Sequence, residues 1–180
     1  MGAINNVLKS LFNVKIVKVS GNNVDETQGD IGEDVQFMKV YNEVKPYTMT
    51  SIERCYALYK AVEYVVKNKI PGDFVECGVW RGGSSMVILK TLMLHGVKNR
   101  KLYMYDTYEG MSEPTELDGN VANKEWKAAV VSTETNSWCL SKIDEVKANI
   151  QSTGYDIELV TMVKGKVEDT IPGVLPAEIA

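Results

Sequence analysis

Gly72-Asp73-Phe74-Val75-Glu76-Cys77-Gly78-Val79-Trp80-Arg81-Gly82-Gly83-Ser84 is a short apolar strand that ends in an acid and runs into a glycine-rich turn. Phe74 and Val75 supply the strand. Gly78 allows a sharp turn, and Gly82 and Gly83 let backbone approach a ligand where a Cβ would collide. From Ser84 onward, Met86, Val87, Leu89, Leu92, Met93 and Leu94 predict an apolar helix that Gly96 closes. Strand, glycine turn and helix make the opening unit of a Rossmann-like nucleotide-binding fold.

The spacing bears on which nucleotide. A dinucleotide fingerprint reads G-x-G-x-x-G and aims a helix N-terminus at a pyrophosphate, whereas this turn reads G-x-x-x-G-G with Glu76 just before it. An acid there repels a pyrophosphate. It suits S-adenosylmethionine, which carries an ammonium, a sulfonium and ribose hydroxyls but no phosphate. The second anchor is Lys101-Leu102-Tyr103-Met104-Tyr105-Asp106, an apolar strand that again ends in an acid. Asp106 is placed to receive ribose hydroxyls, although it follows the glycines at more than the ~20 residues of the dinucleotide pattern. The alternative is a surface acid at a strand end.

Composition narrows the class further. A chain of 180 residues suffices for one domain with its own core. A net charge of −4 with dispersed lysines gives no electrostatic footprint for nucleic acid, so a small-molecule ligand is expected. Cys55, Cys77 and Cys139 form no CxxC pair, which argues against a disulfide framework or zinc site and for a reducing cytoplasm. Met1-Gly2 opens like a myristoylation signal, but Asn6 stands where Ser or Thr is needed. Ile4, Val7, Leu8, Leu11 and Phe12 follow helical spacing, and Lys9 and Lys15 break any membrane-length apolar run. No membrane partner is expected.

Along the chain, residues 20 to 32 read as a polar linker, so 1–32 forms an N-terminal helix and linker, 33–70 a helical cap, and 71–180 the core. Glu33 to Val44 predicts a helix stopped by Pro46. Thr50-Ser51-Ile52-Glu53 fits a capping box ahead of a long helix with Ile52, Cys55, Tyr59, Val62 and Val66 on one face. After Asp106 an acidic segment, Thr107 to Gly119, leaves a strand's carboxyl end, where it covers the site, touches substrate or is simply solvated. Residues 123 to 138 fit no single pattern, Trp126 and Trp138 reading as core or lid. Ser141 to Gln151 predicts a helix, and Ile157 to Val163 a third strand. The expected fold is α/β: three parallel strands with flanking helices, the first half of a Rossmann-like sheet, preceded by N-terminal helices. The first strand should then lack a neighbour on one side, which is expected of a fragment or of an edge covered by another chain, as in a homo-oligomer.

With these residues in hand, the sequence resembles the macrocin O-methyltransferase family of class I S-adenosylmethionine-dependent methyltransferases. The likeness runs from about Tyr47 to Pro172, through Tyr47-Thr48-Met49-Thr50-Ser51, Glu53-Arg54, Gly72 to Ser84, Tyr105 to Met111 and Glu168-Asp169-Thr170-Ile171-Pro172; the residues ahead of Ile31 carry none of it. The resemblance implies that Glu76, Gly78 and the Val79-Trp80 and Gly82-Gly83-Ser84 parts of the turn hold the methionine end of the cofactor. Asp106 and Thr107 would hold its ribose, Gly165-Lys166-Val167 would lie against adenine, and Thr48 and Met49 would close over it. It further implies O-methyl transfer to a sugar or natural-product hydroxyl, assisted by magnesium held by residues beyond Ala180.

Several points stay open on the residues alone. No catalytic residue or metal ligand is assigned. Trp80 reads equally as a pocket wall or as packing beneath the turn, and Arg81 as solvated or paired with a carboxylate. His95, the only histidine, suits the free carbonyls of a helix C-terminus better than catalysis. Rival functions are an NAD-linked oxidoreductase, which calls for tighter glycine spacing, and a truncated domain that binds without turnover.

Overall fold

The computed structural model describes residues 31–132 and 136–180. The helix expected over Ile4 to Phe12, and all but the end of the linker, lie outside the described residues.

Helix α1 spans Val35–Val44, with Asp34 as its N-cap: the carboxylate accepts from the Phe37 amide at 3.0 Å. That cap starts the helix just after the expected Glu33. Phe37, Val40 and Val44 bury one stripe, and a 3-10 turn over Lys45–Tyr47, opened by Pro46, ends it. Helix α2, Ile52–Lys67, buries Cys55, Tyr59 and Val62 on its core face, where Tyr59 meets Phe37 of α1. Phe37 meets Tyr56 edge-on, with ring centroids 4.8 Å apart. The expected capping box does not form. Ser51 is the N-cap without a side-chain bond, because the Thr50 hydroxyl is taken by Thr48 Oγ1 (2.9 Å) and Cys55 Sγ (3.1 Å).

Strands β1 (Phe74–Cys77), β2 (Leu102–Asp106) and β3 (Val160–Lys164) form a parallel sheet in the order β1-β2-β3. Register pairs Phe74 with Leu102 and Glu76 with Met104. Side chains alternate across a strand, so Phe74, Glu76, Leu102 and Met104 share one face. Helix α3 (Gly83–Leu94) packs there, beneath α1 and α2. It is apolar nearly all round, as a helix buried between two layers must be: Met86, Val87, Ile88, Leu89 and Leu92 are buried. Gly96 (φ 71°) closes it, with the Val97 amide returning to Leu92 O at 2.9 Å. His95 caps α3, but its ring turns to α2 and lies 3.1 Å from Glu63 Oε1 instead of serving helix carbonyls.

The remaining elements differ from expectation at their starts. Helix α4 (Gly119–Ala128) occupies part of the ambiguous stretch, and Trp126 Nε1 donates to Met111 O at 2.9 Å. Helix α5 (Ile143–Gln151) begins after Ser141, whose hydroxyl instead bonds Glu145 at 3.2 Å. Ile157–Leu159 is a 3-10 turn capped by Asp156, so β3 begins only at Val160. A short α6, Val167–Thr170, follows. The outer edge of β1 is partly covered by this same chain: Asp73 N donates to Glu178 O (2.8 Å) and Ala180 N to Asp73 O (3.0 Å), a parallel bridge. Gly72 (φ 106°) admits it, since a Cβ there would lie 2.6 Å from Ala180 N.

Candidate functional site

The three strands end side by side, and backbone bonds stitch the turns that leave them. Gly78 N donates to Tyr105 O and Gly165 N to Asp106 O, each at 2.9 Å. Over these ends lies a cavity of about 350 Å³, within the range of small-molecule sites. Gly78 and Trp80 line it from β1, Asp106 and Thr107 from β2, Gly165, Lys166 and Val167 from β3, and Met49 from the segment before α2. Eight expected site residues thus meet in one place. Glu76, Val79, Gly82, Gly83, Ser84 and Thr48 are not on its wall.

Glu76 shows why. It stands on the Phe74 face of β1, toward the start of α3, and its carboxyl accepts from the hydroxyl of the buried Ser85. Burial pushes its pKa up to about 7; bonds from Ser85 and Ser84 pull the other way, and the Asp106 charge adds to the rise. The carboxyl therefore supports the first turn of α3 from beneath the cavity.

Gly82 takes φ 87° as the N-cap of α3, and Gly83 passes so close to the cap segment that a Cβ would sit 2.5 Å from Tyr47 O and 2.6 Å from Thr48 Cβ. Arg81, partly exposed, is paired with a carboxylate. Its Nε meets Glu145 Oε1 at 2.8 Å, one NH donates to Pro46 O at 2.9 Å, and the guanidinium lies over the Tyr47 and Trp80 rings. Asn149 on α5 donates to Arg81 O at 3.0 Å. Cap segment, glycine turn and α5 are thereby one unit.

Asp106 is the most heavily bonded side chain of the site. Its Oδ2 accepts from the amides of Val79 (2.6 Å) and Trp80 (3.1 Å), and its Oδ1 from the Tyr108 amide (2.8 Å). Trp80 and Tyr108 hold positive φ, 48° and 54°, where non-glycine residues are uncommon. Tyr108 is buried, its hydroxyl donating to Met104 O, and burial together with the Asp106 and Glu76 charges raises its pKa further.

The sequence did not single out Cys139 or Glu168 for the cavity, nor Tyr105, Gly110, Met111 and Ser112, which also line it. The last four stand in or beside the Tyr105 to Met111 motif, which was the available signal. Cys139 takes φ 56° on a distant loop and has no local signature; burial, with the Asp106 charge, raises its thiol pKa. Among the described residues no three His, Cys, Asp or Glu side chains gather as metal ligands, and no helix is long and apolar enough to cross a membrane. The described residues therefore do not make a magnesium site.

A parallel sheet with a glycine turn after β1, an acid closing β2 and a cavity across the strand ends defines a Rossmann-like methyltransferase fold. More narrowly, the chain belongs to the Macrocin-O-methyltransferase (TylF) family, whose model matches residues 3–180. The match includes the residues ahead of Ile31, where no motif was visible. The chain is 33% identical over 134 residues to 8-demethyl-8-(2,3-dimethoxy-alpha-L-rhamnosyl)-tetracenomycin-C 4'-O-methyltransferase of Streptomyces olivaceus, covering 74% of this chain and 49% of the relative. Demethyldecarbamoylnovobiocin O-methyltransferase of Streptomyces niveus is 34% identical over 128 residues, covering 70% and 46%. Among solved structures, the O-methyltransferase NovP superposes with a TM-score of 0.59 at 32% identity, covering 72% of this chain and 52% of that one. The chain spans about half the length of the curated relatives it matches.

Proposed function

We propose that the cavity over the strand ends binds S-adenosylmethionine, and that the protein transfers its methyl group to a hydroxyl of a sugar or similar natural-product acceptor. One observation carries the reading: the glycine turn, the β2 acid and the Gly165–Val167 turn, far apart in sequence, converge on one cavity of cofactor size. The relatives' names supply the reaction and the kind of acceptor. In the transfer, the acceptor oxygen attacks the methyl carbon, the carbon–sulfur bond breaks, and sulfur keeps the electron pair as a neutral thioether while the hydroxyl proton leaves to a base. In-line placement of oxygen, carbon and sulfur is the main demand. This chain's part is to seat the donor: Trp80 and Met49 bound the cavity, Lys166 and Val167 face it from β3, and the Glu76-supported start of α3 fixes the turn. No step of this proposal passes through a magnesium ion. Three unpaired cysteines favour a cytoplasmic setting.

Calorimetric titration with S-adenosylhomocysteine and with NAD tests the reading. Saturable binding of the homocysteine product, with no response to NAD, is expected; NAD binding without response to the product overturns it and restores the oxidoreductase. Product binding with no methyl transfer to any sugar hydroxyl would favour a domain that binds without turnover.

A further inference from the structure

The Asp106 carboxylate offers about four lone-pair sites, two on each oxygen. On Oδ2 both are taken, by the Val79 and Trp80 amides at 2.6 and 3.1 Å. On Oδ1 the Tyr108 amide takes one at 2.8 Å. Thr107 Oγ1 is 3.5 Å from Oδ1 and instead gives its proton to Gly110 O at 2.8 Å. One lone pair is left, too little for the paired acceptance of two ribose hydroxyls. Of the three amides it holds, one is that of Val79 and two belong to Trp80 and Tyr108, the non-glycine residues of the strand-end turns that take positive φ. Such a conformation persists only where its surroundings enforce it. Trp80, Thr107 and Gly110 all line the cavity, so whatever fixes these turns shapes the wall.

We infer that Asp106 is a positioning residue: it clamps the glycine turn of β1 to the Thr107–Gly110 corner of β2, and serves the cofactor through those backbones more than through the ribose. The inference rests on the cavity being the S-adenosylmethionine site, and it changes what the acid at the end of β2 is for. The carboxylate sits where two adjacent strands end, so both turns reach it within one hydrogen bond. A ribose acceptor would be replaceable by any acid reaching the sugar. A clamp requires this length and this position.

The test compares the full chain with Asp106→Asn and Asp106→Ala, using S-adenosylhomocysteine and its 2',3'-dideoxyribose analogue as probes. Deleting the hydroxyls from the ligand removes whatever direct bond Asp106 makes to them, so the cycle separates the two roles. Both substitutions are expected to weaken the natural product by about tenfold or more, with Asn, which keeps one acceptor oxygen, recovering part of the loss seen with Ala. The inference stands if the dideoxy analogue also loses at least about threefold to Asp106→Asn, and falls if it loses less. A second measurement needs no ligand: amide exchange at Val79, Trp80 and Tyr108 should quicken by about tenfold or more in Asp106→Asn, while the buried amides of α3 keep their protection. Unchanged exchange at those three amides overturns the clamp. If the unsubstituted chain bound neither probe, the cofactor reading would fail, and exchange alone would decide the clamp.

Discussion

Replacing Gly83 by Ala should loosen the joint between the cap segment and the glycine turn. A Cβ at this position lies 2.5 Å from Tyr47 O, 2.8 Å from Tyr47 C and 2.6 Å from Thr48 Cβ. Two of these contacts are to backbone, which cannot swing aside as a flexible side chain would. An ordinary carbon–carbon contact needs about 3.5 Å, so the Tyr47–Thr48 peptide must retreat by roughly 1 Å or α3 must shift. Overpacking of this kind costs about 1–3 kcal/mol. The segment cannot retreat freely, because Pro46 O holds Arg81 and Met49 lines the cavity two residues beyond Tyr47. For a chain of this size, about 1–3 kcal/mol lowers Tm by roughly 2–12 °C. Gly78→Ala is the control. Its Cβ meets nothing within 4 Å, and it carries only the cost of φ +84°, about 1–2 kcal/mol. Thermal melting by circular dichroism, with S-adenosylhomocysteine titrated at 20 °C below each midpoint, reads both effects. Gly83→Ala should melt lower and bind more weakly, since displacement of Tyr47–Thr48 carries Met49 with it. A Gly83→Ala protein that melts within about 1 °C of the parent refutes the close approach on which this rests.

Two further outcomes follow from the same geometry. Glu76 has its folded pKa raised to about 7 from 4.5, so it favours folding while protonated, and that contribution is lost as pH rises from about 4.5 through about 7. The shift corresponds to about 3 kcal/mol; urea denaturation at pH 5 and pH 8 should therefore show Glu76→Gln flattening the parent's decline, and identical pH dependence in both proteins would count against the buried carboxyl. Arg81→Ala removes the bonds to Glu145 and Pro46 O and the cover over Trp80, all partly exposed, at about 1 kcal/mol. Faster release of S-adenosylhomocysteine by roughly fivefold in stopped flow is expected, with Arg81→Lys failing to restore it because a point charge cannot fork to both partners.

The strand, turn and helix from Phe74 to Leu94 were legible because each is encoded locally: an apolar run, glycines where the chain bends, an apolar stretch closed by Gly96. Asp106 was legible as a strand-end acid, but not as the acceptor of amides 26 and 27 residues earlier, a fact of strand adjacency. Glu76 was legible as a strand-end acid, and strand parity sets it on the Phe74 side, facing α3, where Ser85 bonds it. Arg81 could not be paired in advance, since Glu145 lies 64 residues away on a helix whose angle depends on the whole core. The Thr50 capping box failed for the converse reason. Its residues were right, but Thr48 and Cys55 compete for the same hydroxyl.

The bridge between Asp73 and Ile179 has a consequence for where any ligand can sit. The chain lays down β1, β2 and β3 outward in one direction and then crosses back to run along the other edge of β1, so the order of strands reverses at β1. Connections on the two sides of such a reversal depart to opposite faces of the sheet and leave a crevice between them at the strands' carboxyl ends. Gly78, where the glycine turn begins, lines the cavity over these carboxyl ends. The place of the cavity is thus set first by the order in which the strands are laid down, and the side chains around its opening set its shape.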